Sequence, residues 1–193
     1  TLTYQEKPDR EKIYNIIADM LTSNGFAEIM CNSLNPSAFY ESGDFSKDQL
    51  VILANPLSSD LNAMRQSLLF GGLTSVAWNI NRQNNSLKLY EFGNIYFYNK
   101  HEGKVPVSDD FSENRVLDLY LTGINAPERW NAKPELTDFF RIKAFAEMVL
   151  SRTGLNLSEI QLAESNKKYF SESVSYRFGS KIIAEAGKIS KEY

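Results

Sequence analysis

The twelve residues LKLYEFGNIYFY, from Leu87 to Tyr98, restrict the fold more than any other stretch of this chain. Read as a strand, they set Leu87, Leu89, Glu91, Gly93, Ile95 and Phe97 on one face and Lys88, Tyr90, Phe92, Asn94, Tyr96 and Tyr98 on the other. Both faces carry apolar bulk, so the strand belongs in the middle of a sheet with layers on both sides. Just upstream, Ser58, Ser59, Asp60 and Asn62 form a polar turn, and Met64-Arg65 reads as extended. Ser67 can then cap a helix whose buried face is Leu68, Leu69, Leu73, Val76, Ala77 and Ile80. Gly71-Gly72 lowers helicity by about 1 kcal/mol per glycine relative to alanine, so this helix needs something packed closely against that pair. The expectation is a helix laid on an antiparallel sheet.

The rest of the chain suits that frame. Pro8 fits a first helical turn, and Ile13, Ile16, Ile17, Met20 and Leu21 make one apolar face that Gly25 ends. FAEIMCNSL reads as a strand, Asn35-Pro36 opens a turn or short helix through Tyr40 that Gly43 and Asp44 break, and QLVILAN suits a buried strand ended by Asn55-Pro56. HEGKVPVSDDFSEN, residues 101–114, reads as an exposed hairpin tip or connection, followed by a strand over VLDLYLTG. Asp138 can cap a helix with Ile142, Phe145, Ala146, Val149 and Leu150 on one face and Gly154 as its stop. IQLAES, SVSYRF and KIIAEAGKI read as strands, the last two joined at Gly179-Ser180. Tight antiparallel turns and the lack of a glycine-rich phosphate loop favour an α+β fold over a doubly wound α/β fold.

At 193 residues, 42% of them apolar, the chain can bury the core of one domain, residues 1–193. A formal net charge of −3 provides no polybasic surface for nucleic acid or membrane. No apolar run approaches the roughly 20 residues of a membrane span. Cys31 is the one cysteine; its setting among Ile29, Met30 and Leu34 reads as a small buried hydrophobe, and a reducing, cytoplasmic location is expected. Both ends read as cut, because the chain starts without Met and stops at KISKEY just after a strand-like run.

His101 is the single histidine, in the loop-like segment and far in sequence from Cys31, which argues against a zinc site and against Ser-His-Asp or Cys-His catalysis. Neither GxxxxGK followed by Ser or Thr nor GxGxxG occurs. Asp109-Asp110 is read as part of a solvated loop. Arg65 is the sharpest polar candidate: it could hold a phosphate or carboxylate, or it could be structural, binding backbone carbonyls or Glu91. The rule that buried charges must be paired favours the structural role, with Glu91 as partner. Trp130, Phe139, Phe140, Phe145 and the Tyr90-Phe92-Tyr96-Tyr98 face could stack on bases, but without interleaved Lys and Arg they read as core or interface.

Four separated motifs, NPLSSDLNAMRQSLLFGGL, NINRQNNSLKLYEFGNIY, WNAKPELTDFFRIKAFAEMVL and AEAGKIS, resemble the β subunit of bacterial phenylalanyl-tRNA synthetase, specifically its catalytic-like core domain. The resemblance covers nearly the whole chain from Pro8 onward. It implies a class II synthetase-like fold, a mixed, mainly antiparallel sheet flanked by helices. In the related catalytic α-subunit domain, the strand equivalent to Leu87–Tyr98 carries an arginine on the ATP α-phosphate. Here that segment is GNIYFYN, with Phe97 and Tyr98 at or beside the place of the cation, and Arg177 in SYRFGS is a weak stand-in for a second arginine. A neutral aromatic cannot stabilise charge developing on a transferring phosphoryl group.

The resemblance therefore implies a noncatalytic scaffold with no catalytic, cofactor or metal residues of its own. Its parent is an ATP- and magnesium-dependent phenylalanine–tRNA ligase, in which it pairs with the α subunit in an (αβ)₂ heterotetramer. Editing and magnesium-associated regions would lie upstream and an anticodon-binding module downstream, with tRNA met through those other domains. Two alternatives stay open at this point: a domain keeping its own adenylate site on Arg65 or Arg177, and an RNA-binding module.

Overall fold

The computed structural model describes residues 9–41, 44–99, 108–126, 130–131 and 133–191. Its regular elements are α1 (Arg10–Ser23), β1 (Ala27–Glu28), β2 (Leu34–Asn35), β3 (Ala63–Met64), α2 (Leu69–Ile80), β4 (Leu87–Tyr98), β5 (Phe111–Thr122), β6 (Ile124–Ala126), β7 (Glu135–Leu136), α3 (Phe139–Arg152), β8 (Gln161–Ala163), β9 (Phe170–Phe178) and β10 (Lys181–Ile189). Strand β4 is central, as its two apolar faces require. It lies between β1, which runs parallel to it, and β5, which pairs antiparallel from Leu87 opposite Thr122 to Tyr98 opposite Phe111. A second sheet, β10-β9-β8, is wholly antiparallel, and the pairs β2-β3 and β6-β7 form small ladders. The mixed, mainly antiparallel α+β expectation is met by two three-stranded sheets and two small ladders among the described residues.

Helix α3 ties the two larger sheets together. Asp138 caps it, its carboxylate accepting the Arg141 N–H at 2.9 Å, and Gly154 ends it with a positive φ of 86° that a side chain would strain. Phe145 packs with Ile17 and Leu21 of α1, Phe26 and Tyr90 against the first sheet. One turn further on, Leu150 joins Ile160, Val174, Tyr176 and Ala186 against the second. Helix α2 covers the opposite face of the first sheet through Val76, Leu89 and Tyr120. A further cluster of Tyr40, Leu50 and Ala63, with Phe45 and Phe70 against it, supports the start of α2.

Several local expectations are corrected. In α1 the buried positions are Ile17 and Leu21, whereas Ile13 and Ile16 are exposed, because the sheet meets only a narrow stripe of the helix. In α2, Ala77 and Ile80 face solvent, and buried Gly72 takes their place in the packed stripe. FAEIMCNSL is not one strand: β1 ends at Glu28 and pairing resumes at Leu34, leaving Met30 almost fully exposed. QLVILAN forms only an isolated bridge, Ile52 to Ala63, since its backbone donors are met by the returning chain at Asn62 rather than by a ladder. Strand β5 begins at Phe111, inside the segment read as a loop, and Asp110 is buried at the base of that hairpin, where its carbonyl accepts the Asn99 N–H; it is not a solvated loop residue. Pro8, Gly43 and His101 lie outside the described residues.

Candidate functional site

Arg65 sits between β3 and α2 and is stitched in by its own backbone. Its N–H donates to Ser33 O at 2.9 Å and its carbonyl accepts the Tyr96 N–H at 2.9 Å. This clamps the chain between the segment after β1 and the outer half of β4, so the side chain can only run inward beneath the sheet. There Nη1 lies 2.7 Å from Glu91 Oε1, Nε donates to Asn94 O at 2.8 Å, and Nη1 also donates to Cys31 O at 3.3 Å. Arg65 is 4% exposed and Glu91 1%. The space for the guanidinium is made by Gly93: a Cβ there would fall 2.4 Å from Arg65 Nη2 and 2.6 Å from Leu68 Cδ2. The pairing of Arg65 with Glu91 and backbone carbonyls is the structural role read from the sequence.

Strand register then brings in residues the sequence reading did not single out. Asp118 stands directly opposite Glu91, and Tyr120 opposite Leu89, on the face covered by α2. Tyr120 Oη lies 2.9 Å from Leu68 O at the start of α2 and 2.9 Å from Asp118 Oδ2. Its ring fills the gap left by Gly72, where a Cβ would come within 1.9 Å of Tyr120 Cζ. Gly71 in turn faces Cys31. Burial pushes the Asp118 carboxyl up to about 6, and the neighbouring Glu91 carboxylate pushes the same way. The Cys31 thiol is also raised, chiefly by burial; it is half-buried, with Sγ 3.4 Å from Ser75 Oγ. The available signal for Asp118 was one acid in the apolar run VLDLYL, on the same face as Tyr120.

The candidate residues are not gathered into one place. Arg177 lies on β9 in the second sheet, opposite Ile182 and Gln161, with its Nε buried and unpartnered among the described residues. Phe97 and Tyr98 are half-buried at the outer end of β4, where Tyr98 packs on Phe111 at 5.1 Å. Trp130 and Phe140 are exposed and belong to no core, whereas Phe145 and Tyr90 are buried. A cleft of about 1080 Å³ runs between the edge of β5 and the edge of β10; Asp118, Val116, Ile142, Ala146, Glu185 and Lys188 are among its walls, and neither Arg65 nor Arg177 lines it. Among the described residues no group of three or more His, Cys, Asp or Glu side chains could hold a metal ion. The buried Arg65 guanidinium is held by Glu91 and main-chain oxygens, so this side chain is not presented to a phosphate.

Comparison with known proteins places this geometry. Residues 1–193 match the family described as the phenylalanyl tRNA synthetase beta chain CLM domain. The chain belongs to that family. It is 38% identical over 198 residues to the phenylalanine–tRNA ligase beta subunit of Bacteroides thetaiotaomicron, an alignment covering 100% of this chain and 24% of the relative. The beta subunit of Porphyromonas gingivalis is 31% identical over 197 residues, again covering 100% of this chain and 24% of that one. The chain thus spans about a quarter of the length of these relatives. Among solved structures, pyrrolysyl-tRNA synthetase from Desulfitobacterium hafniense superimposes with a TM-score of 0.64 at 18% identity, covering 93% of this chain and 58% of that one. The β-chain domain therefore has the class II aminoacyl-tRNA synthetase-like α+β fold. No helix among the described residues is long and apolar enough to cross a membrane.

Proposed function

We propose that this domain is a noncatalytic scaffold and interface module of the β subunit of phenylalanine–tRNA ligase, the ATP-dependent enzyme that attaches phenylalanine to its tRNA during translation in the cytoplasm. The observation that carries the reading is the engagement of Arg65. Its guanidinium is paired with Glu91 at 2.7 Å and bound to the carbonyl of Asn94, so it is not presented to a phosphate. Phe97 and Tyr98 occupy the end of β4 with aromatic rings, which provide no positive charge for a phosphoryl transfer. The domain itself supplies no catalytic, cofactor-binding or metal-binding residue; ATP and magnesium belong to the parent complex.

The partner is the α subunit, in an (αβ)₂ heterotetramer, with tRNA engaged through other parts of the β chain. Exposed apolar side chains support a partner-covered surface: Trp78, Leu136 and Phe140 stand out from the domain, and the Arg82 guanidinium lies 3.4 Å above the Trp78 ring. The test is co-expression with a phenylalanyl α subunit followed by size-exclusion chromatography and phenylalanine-dependent pyrophosphate exchange. A stoichiometric complex, with no exchange by the chain alone, is expected. Exchange by the chain alone that Arg65→Ala abolishes would replace the scaffold reading with an adenylate-forming one. Salt-dependent tRNA binding by the chain alone would replace it with an RNA-binding one.

A further inference from the structure

The hydrogen inventory around Tyr120 does not balance with every carboxyl ionised. The Tyr120 hydroxyl carries one proton, yet its oxygen lies 2.9 Å from Leu68 O and 2.9 Å from Asp118 Oδ2. The Leu68 carbonyl has no proton to give. If Tyr120 donates to Leu68, its contact with Asp118 needs a proton on the carboxyl; if it donates to Asp118, its contact with Leu68 sets two acceptors face to face. Across the ladder, the Glu91 carboxylate directly opposite Asp118 leaves Oε2 buried without a hydrogen-bond partner among the described residues. The Tyr120 oxygen therefore needs a donor that a proton on Asp118 supplies, and the buried, unpartnered Glu91 Oε2 across the ladder disfavours a second negative charge there.

The charge inventory points the same way. Arg65 stands on Glu91, and the Cys31 N–H donates to the same Glu91 Oε1 at 3.2 Å. Helix α2, which covers this face, contains no ionisable side chain over Leu69–Ile80 apart from neutral hydroxyl groups. The guanidinium is thus taken up by Glu91, no cation is paired with Asp118 among the described residues, and the Tyr120 hydroxyl and the Cys31 thiol are the other titratable groups near this ladder. Beyond Asp118, the charged residues of the cleft are Arg115, Asp138, Lys167, Glu172, Glu185 and Lys188.

We propose that Asp118 carries a proton in the folded domain and donates it to the Tyr120 hydroxyl, which donates in turn to the Leu68 carbonyl, making a titratable latch between β5 and the start of α2. Asp118 is half-buried and lines the cleft, so this proton also sets the charge of the cleft wall: neutral while the latch is closed, negative once the proton leaves. Whatever occupies the cleft then binds with proton uptake or release, a linkage absent from a wall of fixed charge. The carboxyl titrates at about 6, which places the transition just below neutral pH.

The test is infrared spectroscopy of the full chain labelled with [4-¹³C]aspartate, taking wild type minus Asp118→Asn difference spectra between about pH 5 and 7.5. A protonated-carboxyl band that disappears with a midpoint near 6 is expected. Denaturant unfolding provides the second reading. Over that pH range the wild type should lose about tenfold in folding equilibrium constant relative to Asp118→Asn, because the folded state holds the proton more tightly than the unfolded one. Tyr120→Phe keeps the ring and removes the oxygen that accepts the Asp118 proton, so it should move the band's midpoint downward; this variant serves if Asp118→Asn does not fold. An Asp118 carboxyl fully ionised at about pH 5, equal pH slopes for wild type and Asp118→Asn, or a midpoint that Tyr120→Phe leaves unmoved or raises would each overturn the proposal.

Discussion

Replacing Gly72 with alanine should destabilise the domain even though the same change in an exposed helix stabilises. The added Cβ would lie 1.9 Å from Tyr120 Cζ and 2.3 and 2.4 Å from the two flanking ring carbons. Carbons in contact sit about 3.5–4 Å apart, so the ring must retreat by roughly 1.6–2.1 Å. It has little room: Tyr120 is 7% exposed, packed with Val76 and Leu89, and its hydroxyl bridges Leu68 and Asp118. Overpacking of this kind costs about 1–3 kcal/mol. Displacing the hydroxyl adds about 1 kcal/mol for each hydrogen bond broken. The helix-propensity gain of alanine over glycine, about 1 kcal/mol, offsets only part of this, leaving a net loss of about 2–3 kcal/mol. Urea unfolding should show a lower midpoint at unchanged m-value. Combining Gly72→Ala with Tyr120→Leu, which removes the obstructing atoms, should show coupling of more than about 1 kcal/mol between the two sites. A Gly72→Ala chain as stable as the wild type, or additive effects in the double variant, would refute the close-packing argument.

Other perturbations separate the remaining parts of the structure. Arg65→Met should cost about 3–5 kcal/mol, because Glu91 is then a buried carboxylate without a cation, while Arg65→Met with Glu91→Leu should recover much of the loss; denaturant midpoints of the two variants and the wild type decide it. Asp138→Ala removes the cap of α3 and should lower stability by about 1 kcal/mol, read as a thermal shift, with Asp138→Asn close to wild type. Gly93→Ala should be worse tolerated than Gly179→Ala, since the first puts a Cβ into the Arg65 guanidinium and the second meets no atom and only a positive φ of 60°; relative unfolding midpoints test the order. Trp78→Ala should leave the unfolding midpoint within about 0.5 kcal/mol, as for an exposed side chain, yet weaken a complex with the α subunit measured by titration calorimetry.

Long, strongly patterned segments were legible from sequence, and short ones were not. The alternation in Leu87–Tyr98 predicts a strand with those bounds and a central place in its sheet, because a strand buried on both faces must carry apolar residues on both. The cap and stop of α3 were likewise local signals, the Asp138 side chain and Gly154 each acting on the nearest turn. FAEIMCNSL and QLVILAN are equally apolar but form only two-residue ladders or a single bridge, since pairing depends on which backbone donors the rest of the fold leaves within reach. Exposure of Ile13, Ile16, Ala77 and Ile80 has the same origin: helical periodicity shows an apolar stripe but not how wide a surface will cover it.

The polar centre divides in a similar way. That a glutamate in an apolar strand needs a cation, and that Arg65 is available, follows from the cost of burying an unpaired charge, so the Arg65–Glu91 pair could be read from the chain itself. The sequence also carried the family resemblance, which the match over residues 1–193 bears out. Which acid would stand beside that pair was set only by the register of β4 against β5, which places Asp118 opposite Glu91 and Tyr120 opposite Leu89. A shift of one residue would send Asp118 to the other face of the sheet. The proton at Asp118 and the tight fit of Gly72 against Tyr120 are consequences of distance in three dimensions, which no local pattern in the chain encodes.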